Sequence, residues 1–163
     1  MTIQLYRIDD RLIHGQVVVG WGQPLALQFI VLVDDDVAAS DWEQELYRMG
    51  VPPSIEVYFH SVSDVRTLLD QYEHDPRPGM VLVGRVETMQ QLVEQHPDIT
   101  RVNVGGVHHA EGRAQRLRYV FLTSHEEDVL RDLQQRGVEV NAQDVPSARP
   151  VPLVELLSSR QSA

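Results

Sequence analysis

Apolar positions along the chain repeat sometimes every second residue and sometimes every third or fourth, and the changes of period mark out the elements. Ile3, Leu5, Tyr6 and Ile8 predict a first buried strand over Thr2 to Ile8, which runs into a polar loop from Asp9 to His14. Gln16 to Trp21 reads as a short helix, stopped by Gly22 and Pro24. Ala26 to Val33 is almost continuously apolar, as expected of a strand covered on both faces in a parallel sheet, and it ends at Asp34-Asp35-Asp36. Trp42, Leu46 and Met49 then fall at helical spacing, with Glu43, Gln44 and Glu45 on the polar side and Gly50 as the stop. Ile55 to Phe59 alternates as a third strand. Ser61 with Asp64 resembles a capping box, opening a helix whose stripe is Val62, Val65, Leu68 and Leu69.

Met80 to Val83 is a short strand, Gly84-Arg85 a loop, and Met89, Leu92 and Val93 the inward side of the next helix. Ile99 to Val104 forms a fifth strand that enters Gly105-Gly106, where backbone can approach a neighbour closely. Val107 to Arg113 is too short for a crossover helix, so the strand-like Leu117 to Leu122 is expected to pair antiparallel or at an edge. Thr123 or Ser124, followed by Glu126, Glu127 and Asp128, starts an acidic helix with Val129, Leu130 and Leu133 inward and Gly137 just past its end. Val138 to Val140 is a last strand. A Pro-rich tail from Pro146 to Ala163 holds a partial helix over Leu153 to Leu157.

Strands and helices that alternate up to Gly105 predict an α/β fold: a doubly wound, mostly parallel sheet with an antiparallel edge and helices on both faces. One domain is expected over residues 1–163, with the tail from about residue 147 onward. In such sheets ligands bind beyond the carboxyl ends of the strands, where the loops Asp9 to His14, Asp34 to Asp36, Gly84-Arg85 and Gly105-Gly106 collect.

Composition narrows the chemistry. A formal charge of −10 repels nucleic-acid phosphate and anionic lipid, so neither is an expected partner. The chain has no cysteine, which removes disulfides, thiolate metal sites and thiol nucleophiles together. All 14 cationic side chains are arginine, so Schiff-base chemistry on lysine and the P-loop lysine are absent as well. No apolar run reaches the roughly 18 to 20 residues of a bilayer span, and the N-terminus lacks the basic-then-apolar order of a signal peptide, so a cytoplasmic protein is expected.

The densest chemical signal is Tyr6-Arg7-Ile8-Asp9-Asp10-Arg11-Leu12-Ile13-His14-Gly15-Gln16. Within it stand an imidazole nucleophile, a guanidinium able to take two phosphate oxygens, a carboxylate able to orient the ring, and backbone N–H groups from Gly15 onward at a helix start. These are the parts of a phosphoryl-accepting histidine site. Asp34-Asp35-Asp36 has oxygen ligands that suit a hard cation, but capping of the following helix is the favoured reading. His108 and His109 read as solvated loop histidines, since no nearby cysteine or aspartate completes a metal set. No metal and no cofactor are expected.

The Arg7-to-Gln16 run closely resembles the phosphorylation segment of the mannose/sorbose-family enzyme IIB subunits of the bacterial phosphoenolpyruvate-dependent sugar phosphotransferase system. Val33 to Ala38, Val102-Asn103-Val104-Gly105-Gly106, and Gly112 with Gln115 extend the likeness in order along nearly the whole chain. The resemblance implies a phosphocarrier. His14 would accept a phosphoryl group, through Nδ1, from the phosphohistidine of a IIA partner and pass it to a sugar entering through membrane IIC and IID subunits. It implies His14, Asp10 and Arg11 as catalytic residues, with Asp10 holding the His14 ring, and Arg11, Gly15, Gln16, Gly84 and Arg85 around the phosphate. Where family members commonly carry a hydroxyl residue and a proline, this chain has Gly84-Arg85-Val86, so a guanidinium is expected to approach the phosphoryl group opposite Arg11. The bland alternative pairs Arg85 with Glu87 at the surface. Two competing functions are a regulatory phosphohistidine protein without sugar transfer, and a metal-dependent hydrolase that would leave Arg11 unexplained. The sequence leaves the oligomeric state and the sugar open.

Overall fold

The structure is a computed structural model that describes residues 3–158. The expected strand residue Thr2 and the end of the tail, residues 159–163, lie outside that range. Six parallel strands and one antiparallel edge strand form a seven-stranded sheet in the order β3-β2-β4-β1-β5-β8-β9. The strands are β1 (Ile3–Ile8), β2 (Phe29–Val33), β3 (Glu56–His60), β4 (Gly79–Val83), β5 (Arg101–Val104), β8 (Glu139–Ala142) and β9 (Val151–Pro152). The remaining pair, β6 (Ala114–Leu117) and β7 (Val120–Leu122), makes a separate antiparallel hairpin, in place of the single strand expected over Leu117 to Leu122.

Strand alternation sorts the apolar side chains between two cores. On β2, Phe29, Val31 and Val33 enter one, while Ile30 and Leu32 enter the other, so the continuous apolar run is explained by helices on both faces. The first face is covered by α3 (Val62–Val65), α4 (Leu69–Glu73), α5 (Val86–Gln95), α6 (Ser124–Gln135) and α7 (Leu153–Ser158), through Val65, Leu69, Met89, Leu92, Leu133 and Leu156. The opposite face carries a π-wound helix, Gln16–Trp21, and α1 (Asp35–Ala38).

Two sequence expectations are corrected on this second face. Residues 22–26 form a turn, with Ala26 at φ 52°, so β2 starts at Phe29 and not at Ala26. In α2 (Asp41–Met49) the apolar stripe points outward: Trp42, Leu46 and Met49 are exposed. Gln44 turns inward instead, its amide donating to the carbonyls of Val37 and Ala38. Helical period identifies a stripe, and the contacts of the neighbouring segments decide which stripe is covered.

The topology places the site. The chain leaves β1 toward β2 and β3 on one side and leaves β5 toward β8 on the other, so the connections diverge at the carboxyl ends of these adjacent strands. This is the switch point at which open α/β sheets bind ligands.

Candidate functional site

The site is built downward from Arg7. As a strand residue flanked by Tyr6 and Ile8, it points to the opposite face and is wholly buried. A buried guanidinium must be paired, and five groups meet it. Its terminal nitrogens donate to Asn103 Oδ1, to the Gln143 carbonyl at 2.9 Å, to the Asp144 carbonyl at 3.2 Å and to Asp9 Oδ2 at 3.2 Å. The Trp21 ring lies 4.9 Å from its central carbon. The close approach requires Gly105, where a Cβ would fall 2.2 Å from Arg7 Nη2.

Asp9, two residues on and therefore on the same strand face, is also fully buried and is the hub of the site. Oδ1 accepts from the Arg11 backbone N–H at 3.1 Å, and Oδ2 from the Gly106 N–H at 3.3 Å. Arg11 Nε stands 3.4 Å from Oδ1, and its Nη2 donates to Gln16 Oε1 at 2.7 Å. His14 Nε2 is 3.2 Å from Asp9 Oδ2. That approach is off-line, so the two atoms face each other without an aligned hydrogen bond. Burial pushes the Asp9 carboxyl up; the His14 ring and the Arg7 and Arg11 guanidinium groups outweigh it and hold the carboxyl well below the usual carboxylate range. An ionised carboxylate only accepts, so it favours the His14 tautomer with the proton on Nε2 and leaves Nδ1 with its lone pair.

The loop between Arg11 and His14 is tightened by Leu12, which takes a left-handed φ of 60° that costs a leucine roughly 1–2 kcal/mol. Its buried side chain is seated against Gly84, where a Cβ would lie 2.9 Å from Leu12 Cδ2. Gly84 therefore serves the loop by its lack of a side chain.

Several expected placements are changed. Asp10 does not hold the His14 ring, because its backbone N–H donates to the Gly106 carbonyl and its carboxylate turns the other way. There it accepts from the His108 backbone N–H at 2.7 Å and stands 2.6 Å from His108 Nδ1. Asp9 occupies the position expected of Asp10. His108 is accordingly no free loop histidine, whereas His109 packs edge-on to Phe121 at 5.7 Å. Gln16 steadies Arg11, and Gly15 precedes the π-wound helix with no side-chain cap. Arg85 is 71% exposed and stands 3.6 Å from Glu87, beside a cleft of about 440 Å³ that Asp34, Asp35 and Asp36 also line. It is not among the groups gathered round His14. Asp34 caps α1 through the Val37 N–H, and Asp35 accepts from the Val62 N–H.

The residues missed by sequence reading are Arg7, Asp9, His108 and Arg113. Arg113 forks onto Glu126 at 3.0 and 2.8 Å, donates to the His108 carbonyl at 2.8 Å and lies 3.8 Å from Asp10. For Arg7 and Asp9 a signal was available: a charge inside a strand needs a partner, and an acid two residues along shares its face.

Comparison with known proteins places the chain in a family. The family described as PTS system sorbose subfamily IIB component matches residues 3–163. The N-acetylgalactosamine-specific phosphotransferase enzyme IIB component 1 of Escherichia coli K12 is 37% identical over 151 residues, 89% of this chain and 92% of that protein. The mannose-specific EIIAB component of the same organism is 32% identical over 97% of this chain, but this chain spans only about half (49%) of its length. Among solved structures, the IIB domain of the sorbose permease from Klebsiella pneumoniae superposes with a TM-score of 0.87 at 28% identity, covering 96% of each chain. With a profile that matches from the first described strand through the tail, the chain belongs to the sorbose subfamily of phosphotransferase-system IIB components.

Proposed function

We propose that this chain is a phosphocarrier that accepts a phosphoryl group on His14 Nδ1 from a IIA phosphohistidine and passes it to a sugar during uptake. One observation carries the reading: the His14 ring presents one nitrogen to a buried, charge-compensated carboxylate, with a half-exposed arginine alongside on the same carboxylate. The other nitrogen is thereby the nucleophile. It attacks phosphorus as the donor's P–N bond breaks, and Arg11 takes equatorial oxygens of the transferring group. Asp9 supports the positive character that the ring gains, and Arg7 beneath it keeps Asp9 ionised in a buried place. Phosphoryl transfer of this kind rests on positioning and charge, and both are built into the contacts of Asp9.

Membrane IIC and IID subunits are the partners proposed for the onward step, with the protein cytoplasmic and docked at the inner face of the membrane. Among the described residues no helix is long and apolar enough to cross a membrane. A regulatory phosphohistidine protein would be favoured by Arg85 acting as a second phosphate ligand, and the exposed Arg85–Glu87 pair gives no support for that role. The test is transfer of label from a phosphorylated IIA protein, followed onto this chain and then onto sugar. Wild type is expected to gain acid-labile label and His14→Ala none; label on the His14→Ala protein would reject the assignment.

A further inference from the structure

We propose that His108, held by Asp10, is a further catalytic residue: the general base that takes the proton of the hydroxyl acceptor when the phosphoryl group leaves His14. This rests on His14 being the phosphoryl carrier. Asp10 accepts two hydrogen bonds from one residue, the His108 backbone N–H at 2.7 Å and ring Nδ1 at 2.6 Å, so the ring is clamped in position and tautomer. A carboxylate that already accepts from the backbone fixes the proton on Nδ1 and leaves Nε2 with a free lone pair. Among the described residues, Nε2 has no hydrogen-bond partner, and the side chain is 46% exposed. A Cβ at Gly106 would touch both His108 Cε1, at 2.8 Å, and the Arg11 guanidinium, at 3.3 Å. Cε1, the ring carbon next to Nε2, and the Arg11 guanidinium therefore flank the same glycine. Arg113 fixes the His108 backbone from behind through its carbonyl.

The two half-reactions differ in what they require. When His14 accepts, a nitrogen lone pair displaces another nitrogen from phosphorus, and no proton has to be removed. When a hydroxyl accepts, its oxygen attacks phosphorus, the P–N bond breaks with its electron pair returning to His14 Nδ1, and the O–H proton must go to a base. His14 cannot supply one, because its Nε2 proton stays against Asp9 and its Nδ1 is the leaving atom. His108 Nε2 takes that proton, and the imidazolium formed is balanced by Asp10. Asp9 is buried among its own partners and has no free access to the acceptor.

The test uses the isolated protein, phosphorylated with potassium phosphoramidate, and follows phosphohistidine by ³¹P NMR in water with added glycerol. Water and glycerol are the hydroxyl acceptors. His108→Asn keeps a donor near the Nδ1 position for Asp10 and removes the base. It is expected still to gain label on His14, but to lose it to water and glycerol at least about a hundredfold more slowly, the modest end of general-base effects. In His108→Ala, added imidazole is expected to shorten the phosphoprotein lifetime again. Equal lifetimes in wild type and His108→Asn would overturn the proposal, as would a failure of imidazole to act on His108→Ala. A wild-type protein that takes no label on His14 would fail differently, by removing the phosphocarrier reading itself.

Discussion

Acids and arginines meet at the carboxyl ends of the strands in two places, with opposite outcomes. On the β1–β5 side, Arg7 and Asp9 have no exposed side-chain surface, and every neighbour is set by their need for partners. On the β2–β4 side, Arg85 and Glu87 are 71% and 32% exposed and meet at 3.6 Å across an open cleft. The residue types are the same. Burial makes the difference, because a charge withdrawn from water must be compensated by fixed groups, whereas an exposed pair competes with water for about 0–1 kcal/mol. The first cluster can therefore present a fixed carboxylate to a histidine, and the second has no such fixed group.

The contrast can be broken most forcefully at Arg7. Arg7→Met leaves Asp9 buried without its main counter-charge and is expected to destabilise the fold by roughly 3–5 kcal/mol, read from denaturant unfolding. The acid response should move with it. In the wild type the Asp9 carboxyl is held low, so its contribution is present above the ordinary carboxylate value of about 3.9 and is lost as pH falls through the folded value. Without Arg7 the folded value rises, so that loss begins at higher pH; a variant with the wild-type midpoint and acid limb would erase the distinction between the two clusters.

Arg11 tests the boundary between burial and function. Its side chain is 35% exposed, so Arg11→Lys should hardly change the melting temperature. A single ammonium cannot fork onto two phosphate oxygens, and acceptance on His14 should slow by tenfold or more, equivalent to about 1.4 kcal/mol. Equal rates of labelling in the two proteins would remove Arg11 from the transferring group. The smallest effect belongs to the open cluster. Arg85→Ser should stay within about 0.5 kcal/mol of wild-type stability, and its labelling rate should fall within about twofold, or ~0.4 kcal/mol. A larger change in either would show that the cleft is organised after all.

Much of this was legible along the chain. The almost continuous apolar run from Ala26 to Val33 announced a strand buried on both faces, although the strand itself starts at Phe29, and the Thr123 start of α6 appears as a complete capping box with Glu126. These are local properties, set by side-chain direction and by backbone groups a few residues apart. The stripe Trp42, Leu46, Met49 was read correctly as helical and wrongly as covered, because coverage belongs to the neighbours and not to the helix. His108 escaped for a related reason: its partner Asp10 is 98 residues away, and no spacing rule reaches across that interval.

By itself the sequence determined the order of elements, the sheet class, and the presence of a histidine, an arginine and two acids in one loop. Only the tertiary structure decided which acid serves which histidine. Asp9 and Asp10 are adjacent, so their side chains leave the chain on opposite sides at the end of β1. One turns down onto the buried Arg7 and up to His14, and the other turns outward to the loop that follows β5. That division depends on β5 lying beside β1 and on Gly105 and Gly106 leaving room for Arg7, Arg11 and His108, which are contacts made across the sheet and not along the chain.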